Sequence, residues 1–161
     1  MEDNYLKKII NVLCLISVVF TLVACGTSGV SDGKKKNKKL SDEQSIKNFI
    51  KLNLEYTQSE DVEAVLSQTD CTTNNCAEFK STMQNLFETY DLKYELINVK
   101  IKDITSNKAE VIITQKTTKL NGPEFRDNQG EFLHTLIKVD KSWKFKNTKI
   151  NKVEYLDWLK K

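Results

Sequence analysis

The chain has 161 residues, 25 of them basic and 22 acidic, for a formal net charge of +3. The excess is local: Lys34, Lys35, Lys36, Lys38 and Lys39 against Asp32 give residues 26–40 a charge of +4, residues 1–25 are neutral, and residues 41–161 are left at −1. A folded part without a net positive field argues against nucleic-acid binding, and a single histidine, His134, beside four cysteines argues against a metal centre.

The N-terminus has three zones. Met1 to Lys8 is polar and ends in Lys7-Lys8, Ile9 to Val23 is apolar except for Asn11, Cys14, Ser17 and Thr21, and Ala24, Cys25 and Gly26 are small. This is the order of a secretory signal. About fifteen apolar residues make roughly 22 Å of helix, short of the roughly 30 Å of a bilayer core, so a permanent spanning helix is the weaker reading.

Leu22-Val23-Ala24-Cys25 resembles the lipobox of bacterial lipoproteins. The resemblance implies diacylglycerol on the Cys25 sulfur and cleavage between Ala24 and Cys25, leaving residues 1–24 as the signal peptide. The protein is then expected in the cell membrane, lipid-anchored and facing outward. An ordinary secreted protein with a chance cysteine is the alternative. Two acyl chains anchor stably where one does not. Abundant Lys, Asn and Ile with Arg126 as the one arginine fit an AT-rich, Gram-positive source.

Residues 25–40 read as a flexible Lys-rich tether, too polar to offset the entropy of ordering it. Its charge suits anionic lipid or wall polymer, or simply solvation. Residues 41–161 suit one domain. Ser41 to Gln44 forms a capping box, and Ile46, Phe49, Ile50 and Leu54 repeat at helical spacing to about Tyr56. Ser59 is placed to cap a short helix with Val62, Val65 and Leu66 on its apolar face. Cys71 and Cys76 follow, and outside the cell they favour a structural disulfide over a metal or redox pair. Asn75 with Glu78 caps a third helix striped by Phe79, Met83, Leu86, Phe87 and Tyr90.

After Asp91 the period becomes two. Ile97, Val99 and Ile101 alternate, with a bulge expected near Leu96-Ile97. A turn at Ser106-Asn107 leads to a strand carrying Ala109, Val111 and Ile113. Residues 121–130 read as a loop or edge, 131–140 as a third strand, Lys141-Ser142 as a turn and 143–150 as a fourth strand. The last residues, 153–161, read as a short helix or an extended tail.

Helices followed by an antiparallel meander give an α+β fold, three N-terminal helices packed in a curved four-stranded sheet. The element order, the long first strand, the stretch Gly122 to Asn128 and the final hairpin with Trp143 after its turn resemble the nuclear transport factor 2-like (SnoaL-like) superfamily. That resemblance covers roughly residues 41–150. It implies a cystatin-like cone with a pocket between sheet and helices, an Asp or His base in its enzymes, and many non-catalytic members that serve envelope machinery.

Candidate pocket residues are His134, Arg126, Asp127, Tyr90 and Trp143; the simpler readings are a structural or partly exposed strand residue for His134, a surface ion pair or loop-stabilising pair for Arg126-Asp127, and a turn residue for Asp140. His134 shares strand parity with Phe132 and Leu136, but pattern alone does not decide which face lines the cone. No catalytic set, nucleophile motif or phosphate loop is readable, and no cofactor is expected. The favoured reading is a tethered, non-catalytic binding or scaffolding module. Its expected partners are the bilayer, an envelope protein, a small apolar ligand or a second copy of the chain. A small-molecule pocket enzyme and a mobile-element accessory or immunity lipoprotein are the alternatives.

Overall fold

The computed structural model describes residues 34–72 and 75–156. The expected signal peptide with Ala24 and Cys25, the first part of the expected tether and residues 157–161 lie outside them. Helices α1 (Lys34–Gln58), α2 (Val62–Ser67) and α3 (Cys76–Thr89) precede strands β1 (Asp91–Ile104), β2 (Lys108–Asn121), β3 (Asn128–Val139) and β4 (Ser142–Tyr155). The strands form one antiparallel sheet in the order β1-β2-β3-β4.

Two helix starts differ from the sequence reading. α1 begins at Lys34, so Ser41 lies inside it and the second half of the Lys-rich tether is helical. Lysine is a good helix former, and no Gly or Pro interrupts residues 34–58. α2 is capped by Asp61, whose carboxylate accepts from the Ala64 amide at 2.9 Å. Ser59 instead donates to the Tyr56 carbonyl, and Glu60 turns the chain at φ +58°. The expected cap of α3 is present: Asn75 accepts from the Glu78 amide and its own amide reaches the Glu78 carboxylate. The Cys71–Cys76 disulfide closes the loop before that helix, with Cα atoms 5.5 Å apart. In the chain-entropy picture so short a loop contributes about 2 kcal/mol.

The strands are longer than the alternation alone implied. β3 starts at Asn128, and β4 runs on to Tyr155, so the chain past Ile150 is extended through Tyr155. Register shifts fall between Asp91 and Leu92, between Leu96 and Asn98 and between Ile101 and Asp103 of β1, and twice more in the β3–β4 pairing. Each bulge adds local twist, and together they curl the sheet around the helices. Into the concave face go Ile46, Ile50 and Leu54 of α1, Val65 of α2 and Met83 and Leu86 of α3, against Val111, Ile113, Leu136, Trp143 and Phe145.

Both open edges of the sheet are partly covered. The Gln58 side chain donates to the Leu92 carbonyl at 3.1 Å and accepts from the Tyr94 amide at 3.0 Å, taking the place of a neighbouring strand beside β1. On the other side Gln68 to Asp70 lies parallel to β4, with the Asp70 amide donating to the Phe145 carbonyl and the Phe145 amide to the Gln68 carbonyl, both at 2.8 Å. Unpaired strand edges are sites of unwanted pairing, and these contacts shield them.

Candidate functional site

The concave face answers the parity question. Asn128, Gly130, Phe132, His134 and Leu136 point inward on β3, and the intervening residues point outward. His134 is completely buried. It pairs across the sheet with Val111 and with Thr148, whose hydroxyl lies 2.8 Å from Nδ1. Its ring meets Phe145 edge-on at 5.1 Å, and Phe145 in turn packs against Phe49 of α1 at 4.9 Å. Burial pushes the imidazole pKa down to about 3, so the ring is neutral throughout the physiological range. Nε2 has no hydrogen-bond partner among the described residues.

A second polar group lies beside this core. Asn53, on the stripe seven residues past Ile46, is fully buried and donates to the Gln68 side chain at 2.7 Å. Gln68 belongs to the segment that pairs with Phe145, so this bond joins α1 to the strand-like extension beside β4. Towards the far end of β2 and β3, Gln115, Thr117 and Asn128 are buried polar residues, and Phe132 forms a separate apolar cluster with Ile150 and Val153. The Phe132 ring lies over Gly130, where a Cβ would sit 2.1 Å from Cζ. Asn53, Gln68 and Gln115 were not singled out from the sequence. The available signal was a polar residue standing in an apolar register.

The other sequence candidates do not gather around His134. Trp143 is buried at the β3–β4 turn end, and the Lys138 ammonium lies 4.8 Å from its ring centroid. Arg126 stacks on Tyr155 at 3.9 Å, at the opposite end of the same strands. The Asp127 carboxylate accepts from the Lys119 amide, and its carbonyl accepts from the Leu156 amide. Both residues organise the β2–β3 loop. Asp140 is indeed a turn residue, at φ +48°.

Tyr90 lies in a different feature, an open groove of about 400 Å³ lined by Glu60, Phe87, Glu88, Thr89, Tyr90, Asp91, Asn121 and Gly122. Tyr90 packs against Phe125 there. Partial burial and the nearby Asp91 carboxylate raise the Glu60 pKa. Burial, then Glu60 and Asp91, push the Tyr94 phenol far above its ordinary value. Among the described residues no three His, Cys, Asp or Glu side chains converge as a metal site.

The architecture is that of a nuclear transport factor 2-like, or cystatin-like, cone. A scytalone dehydratase assigned in Novosphingobium aromaticivorans superposes with a TM-score of 0.63 at 15% identity, over 75% of this chain and 91% of that one. A hexachlorocyclohexane dehydrochlorinase of Novosphingobium barchaimii gives 0.58 at 12% identity, over 76% and 94%. A Nostoc punctiforme protein of unknown function with a cystatin-like fold gives 0.58 at 13%, over 71% and 92%. At such identities the likeness is one of fold alone. Residues 48–156 match the family described as the anti-sigma-I factor RsgI9, C-terminal domain, and the chain belongs to that family. No curated protein matches it.

Proposed function

We propose that the chain is a lipid-anchored, extracytoplasmic module of the bacterial cell envelope that works by holding a protein partner, without catalysing a reaction. The observation that carries this reading is the place of His134. The only imidazole in the chain is sealed in the core, bonded to Thr148 and faced by Phe145. A general base must reach its substrate proton and have a pKa near the working pH, and a ring held near pKa 3 meets neither condition. Membership of a family named for the C-terminal domain of an anti-sigma factor supports a role in signalling or binding.

The membrane part of the reading rests on Leu22-Val23-Ala24-Cys25 at the end of an apolar segment, with diacylglyceryl Cys25 as the mature N-terminus. Cys25→Ala is expected to abolish incorporation of labelled fatty acid in the producing bacterium. Retention of the label by that variant would place the lipid elsewhere.

A further inference from the structure

The helices fill the concave face of the sheet and leave its convex face open. Outward-pointing residues of β2 and β3 alternate with the buried set, and three of them are aliphatic: Ile112, Leu133 and Ile137. Ile112 pairs directly with Leu133, and Ile137 stands four residues further along β3, about 13 Å away. They form an apolar track along the two central strands. All three are half-buried, and none belongs to either apolar cluster of the interior.

Charge brackets this track. The cross-strand partner of Ile112 on β1 is Lys100, and that of Leu133 on β4 is Lys149. Cross-strand partners share a face, so Lys100, Ile112, Leu133 and Lys149 make one row across all four strands, about 14 Å long. Carboxylates of this face have lysine partners of their own: Glu95 with Lys93 and Lys116, Glu110 with Lys102 and Lys108, Glu154 with Lys152. Lys100 and Lys149 are exposed and make no ion pair or hydrogen bond among the described residues, Asp103 and Glu131 of the adjoining rows included. Residues 41–161 as a whole stand at −1, so the uncompensated positive charge belongs to this row and not to the domain.

We propose that the convex face receives an amphipathic helix of a partner protein. The apolar stripe of that helix covers Ile112, Leu133 and Ile137, and Asp or Glu on its two flanks meets Lys100 and Lys149. The dimensions agree. A helix with its side chains is about 10–12 Å across, which fits between lysines on β1 and β4, and 13 Å of track is about two and a half turns. The charge also selects against a second copy of the chain. Two-fold packing of two such faces, about an axis along the strands or across them, sets lysine against lysine, and like charges set together reject that partner. This rests on the protein-partner reading and adds to it the surface and the chemistry.

The test uses the full chain in the producing cells. A photo-crosslinking benzoylphenylalanine replaces either Thr135, between Leu133 and Ile137 on the track, or Gln84, exposed on α3 at the helical side of the domain. Irradiation is expected to capture a protein through position 135 and not through 84. The attached peptide, sequenced by mass spectrometry, should carry apolar residues at helical spacing flanked by Asp or Glu. Lys100→Glu together with Lys149→Glu should lower the yield about tenfold, with an unchanged urea midpoint showing that the fold is intact. Lys→Arg at both positions, which keeps the charge, should keep the yield. Capture through 84 alone leaves a protein partner but overturns this surface. Capture of a second copy or of lipid through 135, or a yield indifferent to the charge reversal, overturns the acidic helix. Capture through neither position removes the surface and the partner together.

Discussion

Acidification from pH 6.5 to pH 3 is expected to remove about 4 kcal/mol of folding stability through His134 alone. The ring takes up a proton with a pKa near 6.5 when the chain is unfolded, but only near 3 when it is sealed between Val111, Thr148 and Phe145. Between those values the unfolded state binds the extra proton, so stability falls as pH falls, by about 1.4 kcal/mol per pH unit. The full contribution is present above pH 6.5. Urea unfolding across this range measures the slope, and His134→Leu, which has nothing to protonate, should flatten it. An imidazole C2 proton that titrates in the folded protein with a midpoint above 5 would show that the ring is not sealed. The surface pairs of Glu95 with Lys93 and Lys116, and of Glu110 with Lys102 and Lys108, also hold carboxylate pKa values down. They persist in the variant and so cancel in the comparison.

Leu54→Ala should cost 2–5 kcal/mol, the usual range for opening a cavity under a buried leucine. Leu54 has no exposed surface and stands in the α1 stripe at the centre of the cone. Leu52, two residues away on the same helix, is 39% exposed. Its change to alanine should stay within about 0.5 kcal/mol. Equal losses at the two positions, read from urea midpoints, would mean that α1 does not present this face to the sheet.

The order of elements and most of the core were legible because they depend on period. Ile46, Ile50 and Leu54, the α3 stripe from Phe79 to Leu86, and the alternation of Ala109, Val111 and Ile113 each bury the residues their spacing selects. The bulge at Ile97 was visible as a break in parity, and it is where the β1–β2 register shifts. Helix starts were less legible. Ser41 has the chemistry of a cap, but capping requires the chain before it to leave the helix, and lysines 34–39 offer no reason to do so. At Ser59 the competing Asp61, two residues on, wins because the chain turns through Glu60 before the helix begins.

The site was the least legible part, for a physical reason. Which parity of β3 faces inward depends on the helices that cover it, and residues 131–140 carry apolar side chains on both faces: Phe132 and Leu136 on one, Leu133, Ile137 and Val139 on the other. Arg126 and Asp127 are pocket candidates in the sequence but most simply a surface ion pair or a loop-stabilising pair. The stacking of Arg126 on Tyr155 and the bond from the Lys119 amide to Asp127 fix the loop that enters β3. The Gln58 and Gln68 contacts that cover the sheet edges join residues far apart in sequence, and no local pattern announces them.

The most direct test of the binding reading is mild crosslinking of the chain in the cells that produce it, followed by purification and mass spectrometry of both proteins and small molecules. The account predicts one reproducible envelope-protein partner. A tightly held metabolite with no protein partner, converted to a new compound by the wild-type chain and left unchanged by His134→Leu, would contradict it.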